Sequence, residues 1–207
     1  MGSNSFYCNY IKPALDFIIA LLVLILFCWL YALIAVAVKI DDPTGPVIFR
    51  QERLGKHGKA YRMYKFRTMR VGTEHTGAGV YSNDHDDRVT PVGRLLRRAS
   101  LDELPQFINV LRGECSCVGF RSPLLYHPWT WEEYTEAQRH MFDVRPGITG
   151  WAQVHGRRTV SWDRRIEMNL WYADHVSFWL DTRIMFMTVF AVLGNRDNEN
   201  TGETVAR

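Results

Sequence analysis

Residues 17–38 contain no charged side chain, and this feature constrains the chain more than any other. About 22 residues is the length a helix needs to cross the hydrocarbon core of a bilayer. A helix that is apolar on every side has no face to offer water, so the run belongs in a membrane or wholly inside a core. It is too long for the apolar part of a secretory signal, and no small-residue cleavage site follows it. Lys12 precedes the run, while Lys39, Arg50, Arg53 and Lys56 follow it. Basic flanks stay on the cytoplasmic side. With basic residues at both ends, charge alone allows either a single span or a hairpin that enters and leaves on one face, with its turn near Cys28. Asp16 is costly in hydrocarbon and is expected at an interface.

The remainder of the 207 residues suits one compact domain rather than two large ones. A formal charge of +3 fits an anionic membrane surface or phosphate-bearing ligands and is too weak and scattered for nucleic acid. Seven Trp fit a membrane interface, where an apolar ring carries a polar tip. Cys8, Cys28, Cys115 and Cys117 form no Cys-x-x-Cys pair. They read as free thiols of a reducing compartment, with no zinc site.

Downstream, residues 47–49 and 60–66 read as short strands around the turn Gly55-Lys56-His57-Gly58. Residues 71–88 read as a mobile loop whose His75 and His85, with His57 nearby, are solvated rather than ligands. Residues 92–98 predict a short basic helix. Leu104, Phe107, Ile108 and Leu111 recur at helical spacing, with Gly113 as a C-cap. Residues 128–142 read as one helix. Residues 166–193 mix large aromatics with Asp174, His175, Asp181 and Arg183, and suit amphipathic helices lying on a membrane or on the domain. The fold class expected is α+β: helix-rich, with a short β-hairpin, an N-terminal membrane helix and interfacial amphipathic helices.

The chemistry centres on Ser100-Leu101-Asp102-Glu103-Leu104-Pro105-Gln106. Ser100 and Glu103 have the spacing of a capping box, and acids in a first turn favour the helix dipole. Pro105 disfavours helical geometry at Leu104, so the helix either starts later or bends at the acids. Either outcome leaves two carboxylates beside a helix N-terminus, where a phosphate can bind. Lys65, Arg67, Arg121, Arg145, Arg157 and Arg158 stand in or beside motifs with glycine-bearing turns. Arginine forks match phosphate oxygens, and glycine lets backbone N–H groups approach an anion. Together they point to a phosphate pocket.

Five segments carry a resemblance. They are Val47-Ile48-Phe49-Arg50-Gln51-Glu52-Arg53-Leu54-Gly55, Tyr64-Lys65-Phe66-Arg67-Thr68-Met69, the acid-pair segment, Asn109-Val110-Leu111-Arg112-Gly113, and Arg145-Pro146-Gly147-Ile148-Thr149-Gly150-Trp151-Ala152-Gln153-Val154. In this order the chain resembles the bacterial sugar transferase family, the small monotopic polyprenyl-phosphate phosphoglycosyl transferases, from about Lys12 to Leu193. The short length looks like the minimal members, without a multi-span N-terminal region.

The resemblance implies that Asp102 attacks the β-phosphate of a UDP-sugar, that UMP leaves, and that polyprenyl phosphate then takes the phospho-sugar from an aspartyl intermediate. It implies Mg²⁺ held by Glu103, and phosphate binding by Lys65, Arg67, Arg121, Arg145 and Arg157. Membrane lipid is a further expected partner, nucleic acid is not, and a homodimer is left open. Residues 1–40 are expected to form the N-terminal segment and membrane helix. Residues 41–194 would be a catalytic domain on the cytoplasmic face of the bacterial inner membrane, and 195–207 a disordered tail. The chain departs from the family at Cys28-Trp29, where Ser-Pro is common, at Phe120-Arg121-Ser122, where Pro-Arg-Pro is common, and at Asn169, where an acid is common. A membrane-bound member that binds nucleotide sugar or polyprenyl phosphate without turnover is the alternative reading.

Overall fold

The computed structural model describes residue 3 and residues 5–73, 86–155 and 161–193. His75, His85, Arg157, Arg158 and the tail after Asn195 lie outside the described residues. A π-helical turn over Tyr7–Ile11 runs into helix α1 (Lys12–Leu26), with Pro13 in the first turn, where a missing N–H costs nothing. The helix then breaks at Phe27, whose φ of −106° and ψ of 13° leave the helical region, and resumes as α2 (Cys28–Asp41). No proline makes this break. Phe27 closes one helix and opens the next: its N–H donates to the Val23 carbonyl, and its own carbonyl accepts from Leu30 and Tyr31. The apolar run is thereby divided into two arms of roughly 15 Å each, about half the thickness of a hydrocarbon core.

Both arms dock on one body. Asp16 of α1 accepts from the Ser116 hydroxyl at 2.7 Å and from the Cys117 N–H at 2.9 Å. Lys12 forms a buried ion pair with Asp181 at 2.6 Å. Asp181 also accepts from the hydroxyls of Tyr7 and Tyr172, at 2.8 and 2.6 Å. On the second arm Ile34 and Val38 pack against Phe66 and Leu96, and the Tyr31 hydroxyl donates to the Leu104 carbonyl at 2.6 Å. Between these anchors Ile25, Leu26, Phe27 and Trp29 are exposed. The apolar run thus touches the domain at its two ends and bares its middle.

Strands β1 (Ile48–Leu54) and β2 (Ala60–Phe66) form an antiparallel hairpin with Ile48 opposite Phe66 and Leu54 opposite Ala60. β1 runs past its apolar start because Gln51 and Arg53 alternate onto the face shared with Met63 and Tyr61. A second sheet joins β3 (Ser116–Val118) and β4 (Gly147–Thr149) in parallel. Its flanking backbones nearly touch: a Cβ added at Gly119 would lie 2.2 Å from the Arg145 carbonyl oxygen, and one at Gly147 would lie 2.0 Å from the Gly119 nitrogen. No other residue fits at either position.

Helix α3 (Pro91–Arg98) starts at Thr90, whose side chain accepts from the Gly93 N–H. Helix α4 (Gln106–Leu111) begins after Pro105, and Gly113 turns the chain out of it at φ 72°. The single helix expected over 128–142 is instead three short pieces: a 3₁₀ turn at Trp131–Glu133, α5 (Glu136–Arg139) and a 3₁₀ turn at His140–Asp143. Two capping boxes, Thr130 with Glu133 and Thr135 with Gln138, each start a fresh turn, and extended backbone at Tyr134 separates them. After α6 (Trp151–Val154) come α7 (Trp162–His175) and α8 (Phe178–Leu193). α8 buries Asp181 and Ile184 and leaves Trp179, Phe186 and Phe190 exposed, so its outer face is largely apolar. The main core gathers Val118, Phe120, Phe142, Tyr172 and Ile184.

Removing one partner of a buried ion pair leaves an uncompensated charge and costs about 3–5 kcal/mol. Asp181→Ala strands Lys12 and removes the acceptor of the Tyr7 hydroxyl, while Tyr172 keeps the Val118 carbonyl at 3.2 Å. We expect the detergent-solubilised variant to melt on the order of 10 °C below the parent. Melting at the parent temperature would show that the Asp181 cluster does not hold the N-terminal helix.

Candidate functional site

Ser100 adopts left-handed backbone, φ 55° and ψ 21°, and makes no side-chain cap. The capping box that its spacing allows therefore does not form. Leu101–Glu103 make a single 3₁₀ turn instead, and α4 starts only after Pro105. Asp102 and Glu103 are thus released from a capping role. Two apolar side chains of the same turn, Leu101 and Leu104, pack into the cluster of α2, β2 and α3, and α1 packs against α4. The acid pair consequently rides on the second arm through its own turn and on the first through α4.

Lys65 joins the acids. Its Nζ lies 2.7 Å from Glu103 Oε1 and 3.9 Å from Asp102 Oδ2. Asp102 is buried, and a cation beside two adjacent carboxylates offsets their mutual repulsion. Arg97 of α3 is also close: burial pulls its guanidinium's pKa down, and the charge of Asp102 pushes it back up. Lys65 and Glu103 open onto a shallow cleft also lined by Arg53, Tyr61, Met63, Gln106, Arg121, Ser122, Gly147 and Ile148.

The predicted cations divide. Lys65 and Arg121 line this cleft. Arg67 does not: its guanidinium is buried and paired with the Asp42 carboxylate at 2.6 Å, tying the end of α2 to β2. Arg145 lines no part of it either; its guanidinium lies beside Gly113 at the end of α4. Arg157 is outside the described residues. Among the described residues, no group of three or more His, Cys, Asp or Glu could hold a metal ion. Glu103 instead offers hard carboxylate oxygens in an open cleft, with Asp102 buried next to it in sequence. That donor set fits Mg²⁺, which takes one or two carboxylates and completes its shell with water and substrate phosphates.

Sequence reasoning missed Arg53 as a cleft residue and read it only as a flanking charge. Its Nε and Nη2 donate to Gln51 Oε1 at 3.1 and 2.7 Å, and its Nη1 donates to the Ser122 carbonyl at 2.6 Å. Period-two alternation with Gln51 was the available signal. Tyr61 was missed as well. Burial, then Cys115, raises its pKa well above the ordinary tyrosine range, while burial pushes the Cys115 thiol up to about 12. Both stay protonated at neutral pH. The departures from the family pattern have visible places. Phe120 is fully buried against Phe142. Ser122 donates to the Leu54 carbonyl at 2.6 Å. Asn169 is buried in α7, with its amide nitrogen 3.9 Å from the Met141 sulfur.

Residues 7–195 match the description "bacterial sugar transferase". The chain belongs to the bacterial sugar transferase family. Among its family relatives, the sugar transferase EpsL of Bacillus subtilis is 43% identical over 178 residues, covering 86% of this chain and 83% of that protein. A UDP-glucose:undecaprenyl-phosphate glucose-1-phosphate transferase of Escherichia coli is 43% identical over 191 residues, covering 90% of this chain and 41% of its own length. A UDP-N-acetylgalactosamine-undecaprenyl-phosphate N-acetylgalactosaminephosphotransferase of Aeromonas hydrophila is 40% identical, covering 89% of this chain and 44% of its own. The chain therefore spans most of one of these relatives and less than half of the other two.

Geometry separates two arginines that the family motifs present alike. Arg67→Ala should lower the melting temperature, because it breaks the tie to Asp42. Arg121→Ala should leave melting near the parent value and remove turnover. The reverse pattern in paired melting and activity measurements would mean that the cleft is misassigned.

Proposed function

We propose that this chain moves a sugar 1-phosphate from a UDP-sugar to a polyprenyl phosphate of the undecaprenyl type, releasing UMP. The carrying observation is the position of the acid pair: bridged by Lys65, with Glu103 and Lys65 lining a cleft that Arg53 and Arg121 also line, in a turn whose Leu101 and Leu104 pack with the second arm of a broken apolar helix. The names of the Escherichia coli and Aeromonas hydrophila relatives, which specify such transfers, support the same reading.

In this mechanism a carboxylate oxygen of Asp102 attacks the β-phosphorus of the UDP-sugar. The bond to the bridging oxygen breaks, its electron pair leaves with UMP, and an aspartyl phospho-sugar remains. An oxygen of the acceptor phosphate attacks the same phosphorus, and the Asp102 carboxylate departs unchanged. Lys65 holds positive charge beside both acids, so an anionic substrate can approach two carboxylates. Glu103, with Asp102 adjacent, would hold Mg²⁺. When bound, the ion neutralises charge on the phosphoryl oxygens. The two arms bring this chemistry to the depth at which an acceptor phosphate sits. They form a re-entrant hairpin bent at Phe27, with both ends and the catalytic domain on the cytoplasmic face, where nucleotide sugars are available.

Purified protein with a panel of UDP-sugars and polyprenyl phosphate should release UMP in Mg²⁺ and none in excess chelator. Asp102→Asn should stay folded and lose turnover, since a neutral amide is no nucleophile here. Turnover near the parent level in Asp102→Asn would remove the nucleophile from this scheme.

Topology is tested separately with a cysteine at position 4, in a variant lacking Cys8 and Cys28. An impermeant thiol reagent should reach it only after the cells are opened. Labelling of intact cells would show a straight span and end the hairpin proposal.

A further inference from the structure

We infer that Asn109 is a positioning residue: its carboxamide sets where Lys65 stands relative to the acid pair. This rests on the transfer proposed above and adds to it the part that holds Lys65 in place. Asn109 lies on α4 and is fully buried. Its Nδ2 donates to the Arg62 carbonyl at 2.7 Å, and its Oδ1 accepts from the Tyr64 N–H at 3.0 Å. In an extended strand, alternate residues turn their backbone groups to opposite edges. The Arg67 N–H donates to the Val47 carbonyl at 2.9 Å, so Met63 and Lys65, in phase with Arg67, face β1. Arg62 and Tyr64 face the other edge, where the hairpin has no third strand among the described residues. There the carboxamide takes the place of a residue in a parallel neighbour, bonding the carbonyl before Met63 and the N–H after it.

These two bonds tie the helix that follows the acids to the strand that carries Lys65. α4 continues from the acid-pair turn through Pro105, and its Phe107 N–H donates back to the Leu104 carbonyl at 3.1 Å. Lys65 comes one residue after Tyr64 and reaches Glu103 Oε1 at 2.7 Å and Asp102 Oδ2 at 3.9 Å. Helix and strand are thus joined twice, by the amide of Asn109 and by the ion pair of Lys65. Leu101 and Leu104 also pack with Phe66, but that contact is non-directional and tolerates a slide that the amide bonds do not. Glu114 completes the arrangement: its Oε2 accepts the second Nδ2 hydrogen at 2.6 Å, so no donor of the side chain is unused. A side chain that only capped α4 would bond the backbone of α4, whereas this one bonds β2 and Glu114. A displaced cation costs rate more than binding, because the charge that develops in the transition state needs it in a fixed place.

The test uses Asn109→Ala, which removes both bonds to β2 and leaves Lys65 and the acids in the chain. Its kcat should fall about tenfold, on the scale that a misplaced group costs, with an unchanged KM for the UDP-sugar that the parent turns over. Labelling with an amine-acylating reagent, followed at each lysine by mass spectrometry, gives a readout without turnover. Lys65 should label several times faster than in the parent, while Lys12, buried against Asp181, stays protected. Faster labelling of Lys65 and Lys12 together would show that Asn109 only supports the fold, and would overturn the inference. Unchanged labelling of Lys65, or a raised KM with the parent kcat, overturns it as well. Should Asn109→Ala fail to fold, Glu114→Ala removes the acceptor that steadies the carboxamide and takes its place, with the same readouts and the same expected directions. A freed Lys65 in a protein whose parent releases no UMP from any UDP-sugar would keep the positioning role and remove the proposed transfer.

Discussion

One buried carboxylate organises this molecule. Asp181 sits at the start of α8 and accepts from Lys12, Tyr7 and Tyr172, so three segments distant in sequence meet at a single charge. Burying an ion pair gains little net stability over an apolar replacement, because desolvation offsets the attraction. What such a pair supplies is a unique arrangement, since a slipped register would strand a charge. With Lys12 held, α1 has one position on the domain, and Asp16 secures it again at β3 through Ser116 and Cys117. α4 lies against that helix. The position of Asp102 and Glu103 is thus set from below by contacts remote from the acids in sequence.

The second anchor is apolar. Ile34 and Val38 pack with Phe66 and Leu96, and Leu101 and Leu104 join them from the acid-pair turn. The same cluster therefore seats the second arm, the β-hairpin and the acids. Lys65 precedes Phe66 by one residue, which puts its side chain on the opposite face of β2. One strand thus grips α2 with Phe66 and the acid pair with Lys65. The neighbouring Arg67 closes the linker after α2 through Asp42. A motif with two cations two residues apart divides its labour between cleft and scaffold.

What the sequence made legible follows from how strongly each element advertises itself locally. The apolar run, the β2 strand and the α3 segment carry their own periodicity or composition, and they stand close to where the residues put them. The second sheet carries no such signal: three residues per strand are too few for an alternation to show, and parallel pairing is set by distant chain. The long helix expected over 128–142 failed for a readable reason, because Thr130 and Thr135 each begin a capping box and so restart the chain. The acids and Lys65 could be singled out from residue type and motif. Arg53 was harder to find, because its alternation with Gln51 counts only if the strand expected over 47–49 runs on to Leu54. The break at Phe27 falls beside Cys28, where a hairpin's turn was expected, but composition shows no cause for it, since a helix can restart by sharing one carbonyl between Leu30 and Tyr31 and needs no proline to do so.

The glycine junction between the two parallel strands bears on how such a protein can diversify. At Gly119 and Gly147 two main chains run in contact, with no room for a side chain on either, and Gly147 and Ile148 form part of the cleft. At Gly147 that wall is a peptide group whose hydrogen-bonding character is the same whatever the surrounding sequence. Mutational drift cannot reshape it one residue at a time, as it can a wall of side chains. Changes in the sugar accepted must therefore accumulate elsewhere around the cleft. The glycine junction stays an inherited constant on which new specificities are built.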